Sequence, residues 1–407
     1  MSDANHSISS HYRINGNFSR AWEAYRSSIR SWTGLKYVPY AVLLLGRQTR
    51  PAKDVIHPLA AAFEKYVLSI APRFSLRRPA QQFRRVALSG LPLFCSRLAR
   101  QLDRHGMRWT PERVGARTHL DVLAAFFTIL KCDLWYSIGE PRSDRRIEWF
   151  AREINRRRVI HWVGSDVTAL QNPRVAKILS GPRFTHLVEA QWIADELRAA
   201  GLTAHIVPLP PNSALHEIPP LPGNFTILLY VPRTRGSFYG LQEFERTMVS
   251  LSHLPIEYLI VGGGAITVPP NVRATNLGWL EDLTGVYRRS SLLVRFTRHD
   301  GLSLMVLEAL AAGRYVLWTQ AFPFCHTVKT RYDMEREVTR LFEMHAAGIL
   351  HPQTDASRMV RAQYSETACV HKLVAAWETC MTEPSGNAAA RMKPLLQAPD
   401  VRSINLP

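Results

Sequence analysis

The sequence predicts an α/β protein of two consecutive Rossmann-like domains, and three observations carry that expectation. Short apolar runs of strand length alternate with longer amphipathic stretches along most of the chain, as in successive βα units. A Pro-rich link interrupts the alternation at Pro208-Leu-Pro-Pro211 and Pro219-Pro-Leu-Pro222, a composition suited to a stiff connector. The 407 residues are enough for two domains of ordinary size with length left over. The expected division is a basic extension over 1–84, a first domain over 85–215, a second over 224–345, and a closing helix with tail over 346–407.

Residues 1–84 stand outside the alternation. Trp22, Tyr25, Ile29 and Trp32 fall at helical spacing with Arg20, Arg26 and Arg30 interleaved. That pattern suits a helix lying in a membrane interface and equally a helix packed onto the body. Tyr37 to Leu45 is apolar but only nine residues long and is broken by Pro39, whereas a spanning helix needs about 20. Arg73, Arg77, Arg78, Arg84 and Arg85 form a basic approach to the first core strand.

That strand is expected at Arg85-Val-Ala-Leu-Ser-Gly90, followed by a loop and a helix closed by Gly106. Strand, glycine turn and helix make a nucleotide-type βα unit in which Gly90 admits a close backbone approach to a ligand; an ordinary tight turn has the same signature. Cys132 to Ser137 and Val159 to Val163 read as the next strands, separated by a loop at 138–141 and a basic helix from Arg142 to Arg157. Gly164-Ser-Asp166 is the exit turn of the second of these. His186 to Glu189 and His205 to Pro208 flank a helix over Gln191–Ala200. Beyond the Pro-rich link, strands are expected at Phe225 to Val231, Ile256 to Val261, Ala274 to Gly278, Ser291 to Arg295 and Tyr315 to Trp318. A helix from Gln363 to Cys380 closes the fold, and the chain from Pro384 reads as a tail.

Composition narrows the function. The five cysteines are scattered, none in a Cys-x-x-Cys pair, so neither a zinc site nor a disulfide framework is indicated. The first residues lack the basic-then-apolar order of a signal peptide, and a cytoplasmic protein is expected. No phosphate-loop motif occurs. The net charge of +18 is uneven: residues 1–160 hold 28 Lys and Arg against 12 Asp and Glu, while 161–407 hold 23 against 21. Such asymmetry points to an anionic surface met by the N-terminal part, either lipid head groups or nucleic acid, or serves solubility alone. No helix-turn-helix, zinc or aromatic-sheet motif supports specific nucleic-acid recognition. Gly262-Gly263-Gly264 only partly matches a dinucleotide fingerprint, because Thr267 stands where the third glycine belongs.

The densest chemical signal is Arg298-His299-Asp300-Gly301-Leu302-Ser303 running into an apolar stretch with Glu308 and Gly313. Seven residues separate Asp300 from Glu308. A helix opened by Gly301 would place both acids on about the same side, two turns apart, with first-turn N–H groups free to face an anion. This segment resembles the signature of family-4 glycosyltransferases, retaining enzymes of the GT-B fold. In that family an acidic residue, seven residues and Glu precede a small-residue turn and a strand. The resemblance extends through Asn276–Leu283 and Tyr287–Arg295, covers about 85–330, and is strongest from Gly262 onward.

The resemblance implies two Rossmann-like domains facing each other across a cleft, with a nucleotide-sugar donor held by the second. Arg233 and Arg235 would meet the diphosphate, with Tyr239 standing where the family has Lys. Asp300 would contact sugar hydroxyls and Glu308 the ribose. The backbone of Gly301, Leu302 and Ser303, together with Gly263, Gly264 and Arg298, would border the donor. On the acceptor side stand Gly90, Asp166 and His299. His161 lies two residues before Val163, which occupies a position where many members carry His, and is the candidate to replace that imidazole. The alternative is a core histidine, as the alternative for Asp166 is a helix cap. The implied activity is hexosyl transfer with retention to a glycan or lipid-linked acceptor, in envelope polysaccharide or glycoconjugate synthesis, metal-independent and without a cofactor, on the inner face of a membrane. Val163, Tyr239 and Asp300 depart from the family pattern and motivate an alternative: a non-catalytic GT-B partner within a polysaccharide-synthesis complex.

Overall fold

The computed structural model describes residues 84–114, 125, 128, 129, 132–139, 157–211 and 217–382. The aromatic–arginine segment, the apolar run 37–45, the basic helix expected over 142–157 (Arg157 apart) and the tail from 384 lie outside the described residues. Among the described residues no helix is long and apolar enough to cross a membrane.

The elements follow in order: β1 (Arg84–Gly90), α1 (Pro92–Arg104), β2 (Trp109–Arg113), β3 (Leu134–Ile138), β4 (Arg158–Trp162), a 3-10 turn (Ser165–Gln171), α2 (Pro173–Leu179), β5 (Phe184–Val188), α3 (Gln191–Ala199) and β6 (Ala204–Ile206). Then come β7 (Thr226–Tyr230), α4 (Leu241–Ser250), β8 (Glu257–Val261), β9 (Arg273–Asn276), α5 (Thr284–Arg288), β10 (Leu292–Arg295), α6 (Leu304–Ala311), β11 (Tyr315–Trp318), β12 (His326–Thr327), α7 (Arg331–Ala346), α8 (Thr354–Gln363) and α9 (Glu366–Thr382). They build two six-stranded sheets, ordered β2-β1-β3-β4-β5-β6 and β12-β11-β10-β7-β8-β9. The pairs β1/β2 and β5/β6 run parallel, as does every pair of the second sheet.

The described chain falls into two compact units: residues within 1–96, 107–137 and 141–159, and residues within 97–106, 138–140 and 160–407. In the first unit Val86, Ala87 and Leu88 of β1 are fully enclosed, as continuous apolar runs of parallel strands require. The Trp135 indole N–H donates to Ser89 Oγ at 2.7 Å, and the Arg158 guanidinium lies 3.8 Å above the Trp135 ring. Strand β2 was not expected, because its Trp-Thr-Pro-Glu-Arg carries a proline. The edge position explains it, since an edge strand tolerates a residue that cannot donate to a ladder.

In the second unit β7 alternates as a buried strand must. Ile227, Leu229 and Val231 pack into one core, and Leu228 into the core on the opposite face with α6. Helix α6 is Leu-Met-Val-Leu-Glu-Ala-Leu-Ala, with Val306 to Ala311 all buried. Each large side chain so enclosed contributes about 1.5–3 kcal/mol. Gly313, at φ 71°, reverses the chain after the helix, and its N–H donates to Leu310 O at 2.9 Å. The helix begins at Leu304, not at Gly301. The closing helix expected from Gln363 to Cys380 is α9, and α8, which was not expected, precedes it across Tyr364-Ser365.

Candidate functional site

Strands β7 and β10 are neighbours in the second sheet although β8 and β9 lie between them in sequence. In an open parallel sheet such a reversal leaves a crevice beyond the carboxyl ends of the strands, where ligands bind. The exits of these two strands are the segments 231–240 and 296–303, which carry most of the residues the sequence singled out.

The loop after β7 rests on the glycine turn after β8. A Cβ on Gly262 would stand 2.6 Å from Val231 O, and one on Gly263 would stand 3.2 Å from Arg233 Nε. Gly264 packs directly on Pro232 O, and its N–H donates to Val231 O at 2.9 Å. Gly263 and Gly264 therefore serve by letting two backbones close on each other, and the Gly264 amide is engaged within the protein. Arg235 takes a left-handed backbone (φ 63°) and lays its guanidinium 4.2 Å from the Phe238 ring. Among the described residues neither Arg233 nor Arg235 has a carboxylate partner. Two uncompensated guanidiniums beside a switch point offer forked donors to phosphate oxygens.

Asp300 leaves β10 by five residues and turns back to the end of that strand. Arg295 Nε donates to Oδ2 at 2.7 Å and its Nη2 to Oδ1 at 3.1 Å, while the Trp318 indole donates to Oδ2 at 3.3 Å. Arg295 lies against the rings of Tyr230 and Tyr239, at 5.4 and 5.3 Å. Burial works against its charge, but Asp300 outweighs it and holds the guanidinium protonated above its ordinary range. Tyr239 is thus one wall of a sleeve around Arg295. The carboxylate accepts three donors and keeps room for about one more. Since Asp300 precedes α6, the two acids do not share a helix as the spacing suggested.

Glu308, on α6, is nearly enclosed. Its Oε2 accepts from the Tyr287 hydroxyl at 2.9 Å, and Arg97 Nη1 stands 3.7 Å from Oε1. Burial, and then the Glu308 charge, push the Tyr287 phenol well above its usual range, so Tyr287 stays a donor.

The segment Gly301–Ser303 is less open than its sequence implied. A Cβ on Gly164 would stand 2.5 Å from Gly301 N, and one on Gly301 would stand 2.6 Å from Val163 O and 2.8 Å from Glu189 Oε2. Of the three amides expected to face phosphate, that of Leu302 faces the Glu189 carboxyl. Ser303 is the residue before α6 and makes no side-chain cap.

Both oxygens of Asp166, a residue expected on the acceptor side, accept from Val163 N–H, at 3.1 and 3.2 Å. His161 is fully buried within β4 and hydrogen-bonds to Val207 backbone; burial pulls its pKa down to about 3, so the ring is neutral. It presents no atom to a ligand and is a core histidine, a correction to its candidacy as catalytic imidazole. His299 pairs its Nε2 with Glu196 at 3.0 Å, while its Nδ1 is buried with no hydrogen-bond partner among the described residues. Arg298 is exposed, with its backbone N–H bound to Phe238 O at 3.0 Å. Gly90 closes β1 at φ 103° in the first unit; the other candidates belong to the second.

Sequence reasoning missed Arg295, Glu189, Trp192, Trp318 and Tyr287. The Trp192 indole donates to Asp300 O at 2.9 Å and meets Trp318 edge-on, ring centroids 5.7 Å apart. The available signal was a charged residue ending an otherwise apolar strand, as in Leu-Leu-Val-Arg295 and His-Leu-Val-Glu189.

No protein-family model and no curated protein sequence matches the chain. Among solved structures, the sucrose-phosphate synthase of Thermosynechococcus elongatus superposes with a TM-score of 0.55 at 13% identity, over 72% of this chain and 98% of that one. A TarM variant from S. aureus, solved with UDP, gives 0.48 at 13% identity over 65% and 59%. The glycosyltransferase SnogD of Streptomyces nogalater gives 0.39 at 15% over 72% and 99%. The first likeness, with the two parallel sheets, shows the fold to be GT-B.

Proposed function

We propose that the chain is a glycosyltransferase moving a sugar from a nucleotide-sugar donor to a glycan or lipid-linked acceptor, with retention. The observation that carries this reading is the pair Arg233 and Arg235, without carboxylate partners among the described residues, at the switch point of a GT-B sheet. The bond from the anomeric carbon to the phosphate oxygen breaks, and its electron pair leaves with the nucleoside diphosphate. The acceptor hydroxyl attacks the same face and passes its proton to the departing phosphate. The growing charge is what preorganised guanidiniums stabilise, and the two arginines supply that stabilisation in place of a metal. Asp300, fixed by Arg295 and Trp318, offers its remaining acceptor position to a sugar hydroxyl. Glu308 faces the ribose, Arg298 adds charge at the donor, and Asp166 and His299 flank the acceptor. An anionic membrane surface, met by the basic N-terminal part, would bring lipid-linked acceptors to the site, and envelope glycoconjugate synthesis is the setting that fits.

A thermal-shift panel of nucleoside diphosphates tests the reading, because a ligand that binds only the folded form stabilises it by about 2.7 kcal/mol at 100 times its Kd. One nucleoside class should raise Tm, and the double variant Arg233→Ala, Arg235→Ala should lose that rise. No shift with any nucleotide sinks donor binding; binding without sugar transfer over a broad donor panel favours the non-catalytic role instead.

A further inference from the structure

Glu189 leaves β5 by one residue and is buried, 4% exposed. Its carboxyl faces two backbone amides, Leu209 N–H beyond β6 and Leu302 N–H before α6. Its Oε2 lies 2.8 Å from the place a Cβ would take on Gly301. Three residues on, the Trp192 indole N–H donates to Asp300 O at 2.9 Å. The segment 189–192 thus grips three consecutive residues of the donor-side loop: the carbonyl of Asp300, the bare face of Gly301 and the amide of Leu302. These peptide planes set the direction in which the Asp300 carboxylate leaves the backbone toward Arg295 and Trp318.

We propose that Glu189 is a positioning residue for the transfer reaction, fixing the Asp300–Leu302 loop by bridging the Leu209 and Leu302 amides. The inference rests on the proposed function for its catalytic consequence, while its structural consequence is independent of that reading. Three ionisable groups face Glu189 from the elements packed on it: Asp166 from the 3-10 turn, Asp300 from the loop after β10, and Cys369 from α9, with Arg295 neutralising Asp300 from behind. Burial first, then Asp166 and Asp300, hold the Glu189 carboxyl well above the ordinary carboxylate range, against the opposing pull of the two amides. The bridge therefore works as the neutral acid. Ionisation would set a third carboxylate against two others in an enclosed space, a cost that the two amides only partly offset.

The conservative variant Glu189→Gln keeps an oxygen for the amides and cannot ionise; Glu189→Ala removes the bridge. Sugar transfer by Glu189→Ala should fall at least about tenfold in kcat/KM, since a misplacement of about 1 Å costs on the order of a hundredfold. Glu189→Gln should rescue it and extend activity to higher pH than the wild type sustains. The second readout is the Tm of wild type and Glu189→Gln from pH 4 to 9, roughly spanning the ordinary carboxylate pKa and beyond. The folded wild type keeps a proton that the unfolded chain has lost, so its stability is full below the unfolded pKa and falls as pH rises. The two curves should meet at low pH and separate upward, Glu189→Gln remaining the more stable. Equal transfer and identical pH profiles in all three proteins would overturn the proposal, as would a Tm difference that does not change with pH. If the wild type transfers no sugar while the Tm curves separate, it is the proposed function that fails and the bridge that stands.

Discussion

Gly301 shows how tightly a single position constrains this site. Its Cα faces Val163 O and Glu189 Oε2, and the two atoms stand 2.6 and 2.8 Å from the place of an added methyl. One of them is backbone and cannot rotate away, so Gly301→Ala must displace either the exit turn of β4 or the loop itself. Overpacking of this kind costs about 1–3 kcal/mol. The expected outcome is a lowered Tm together with a loss of transfer larger than the lost stability explains, because the shift falls on the residue next to Asp300. Gly285→Ala is the control: nothing lies within 4 Å of its missing Cβ, and it sits in α5. There the substitution should leave stability unchanged or raise it by up to about 1 kcal/mol, since alanine is the better helix former. Equal effects of the two substitutions would remove the steric account of Gly301.

At the level of elements, the C-terminus of α6 is held by α8. Ser357 Oγ donates to Ala311 O at 2.6 Å, and Arg361 reaches both that carbonyl at 3.2 Å and Ser357 Oγ at 3.0 Å. Ser357→Ala removes a buried donor to a helix-end carbonyl and takes away an acceptor of the Arg361 Nε, a loss of about 1–3 kcal/mol. A fall in denaturant midpoint with unchanged nucleotide affinity is expected; an unchanged midpoint would show that Arg361 alone satisfies the helix end. Most strands of both sheets were legible in the sequence because buried parallel strands are near-continuous apolar runs bounded by turns, and Tyr315–Trp318 came out residue for residue. The start of α6 was not, because Gly301 and Leu302 are held out of the helix by Glu189 and Val163, contacts more than a hundred residues distant in the chain. Strand β2 was missed because it carries a proline, β12 because it is only two residues long, and α8 because Thr354–Gln363 holds few large apolar residues. Asp300 and Glu308 were visible by spacing alone. Their partners Arg295, Tyr287 and Arg97 were not, since which cation meets which acid is settled by strand order and not by local pattern.

For the whole molecule, charge is the property most unevenly distributed: 28 basic against 12 acidic side chains over residues 1–160, and 23 against 21 thereafter. The second part, which holds most of the candidate site, is nearly neutral, so the excess is not the donor site's alone. An anionic lipid surface attracts nearby basic side chains by about 1 kcal/mol each, and the attraction fades within a Debye length of about 10 Å at 0.1 M salt. Full-length protein should therefore sediment with vesicles containing phosphatidylserine and stay in solution with phosphatidylcholine alone, and raised salt should release it. Duplex DNA added as competitor separates the sources of the attraction. A surface that recognises only charge will be displaced by DNA with the same salt dependence, as sequence-blind phosphate binding requires. A surface that also inserts the aromatic side chains at 22, 25 and 32 will keep part of its lipid binding when both DNA and salt are present, because buried ring area does not answer to ionic strength. Equal sedimentation with neutral and anionic vesicles would remove the electrostatic account. Failure to sediment with either would leave solubility as the reason for the basic excess.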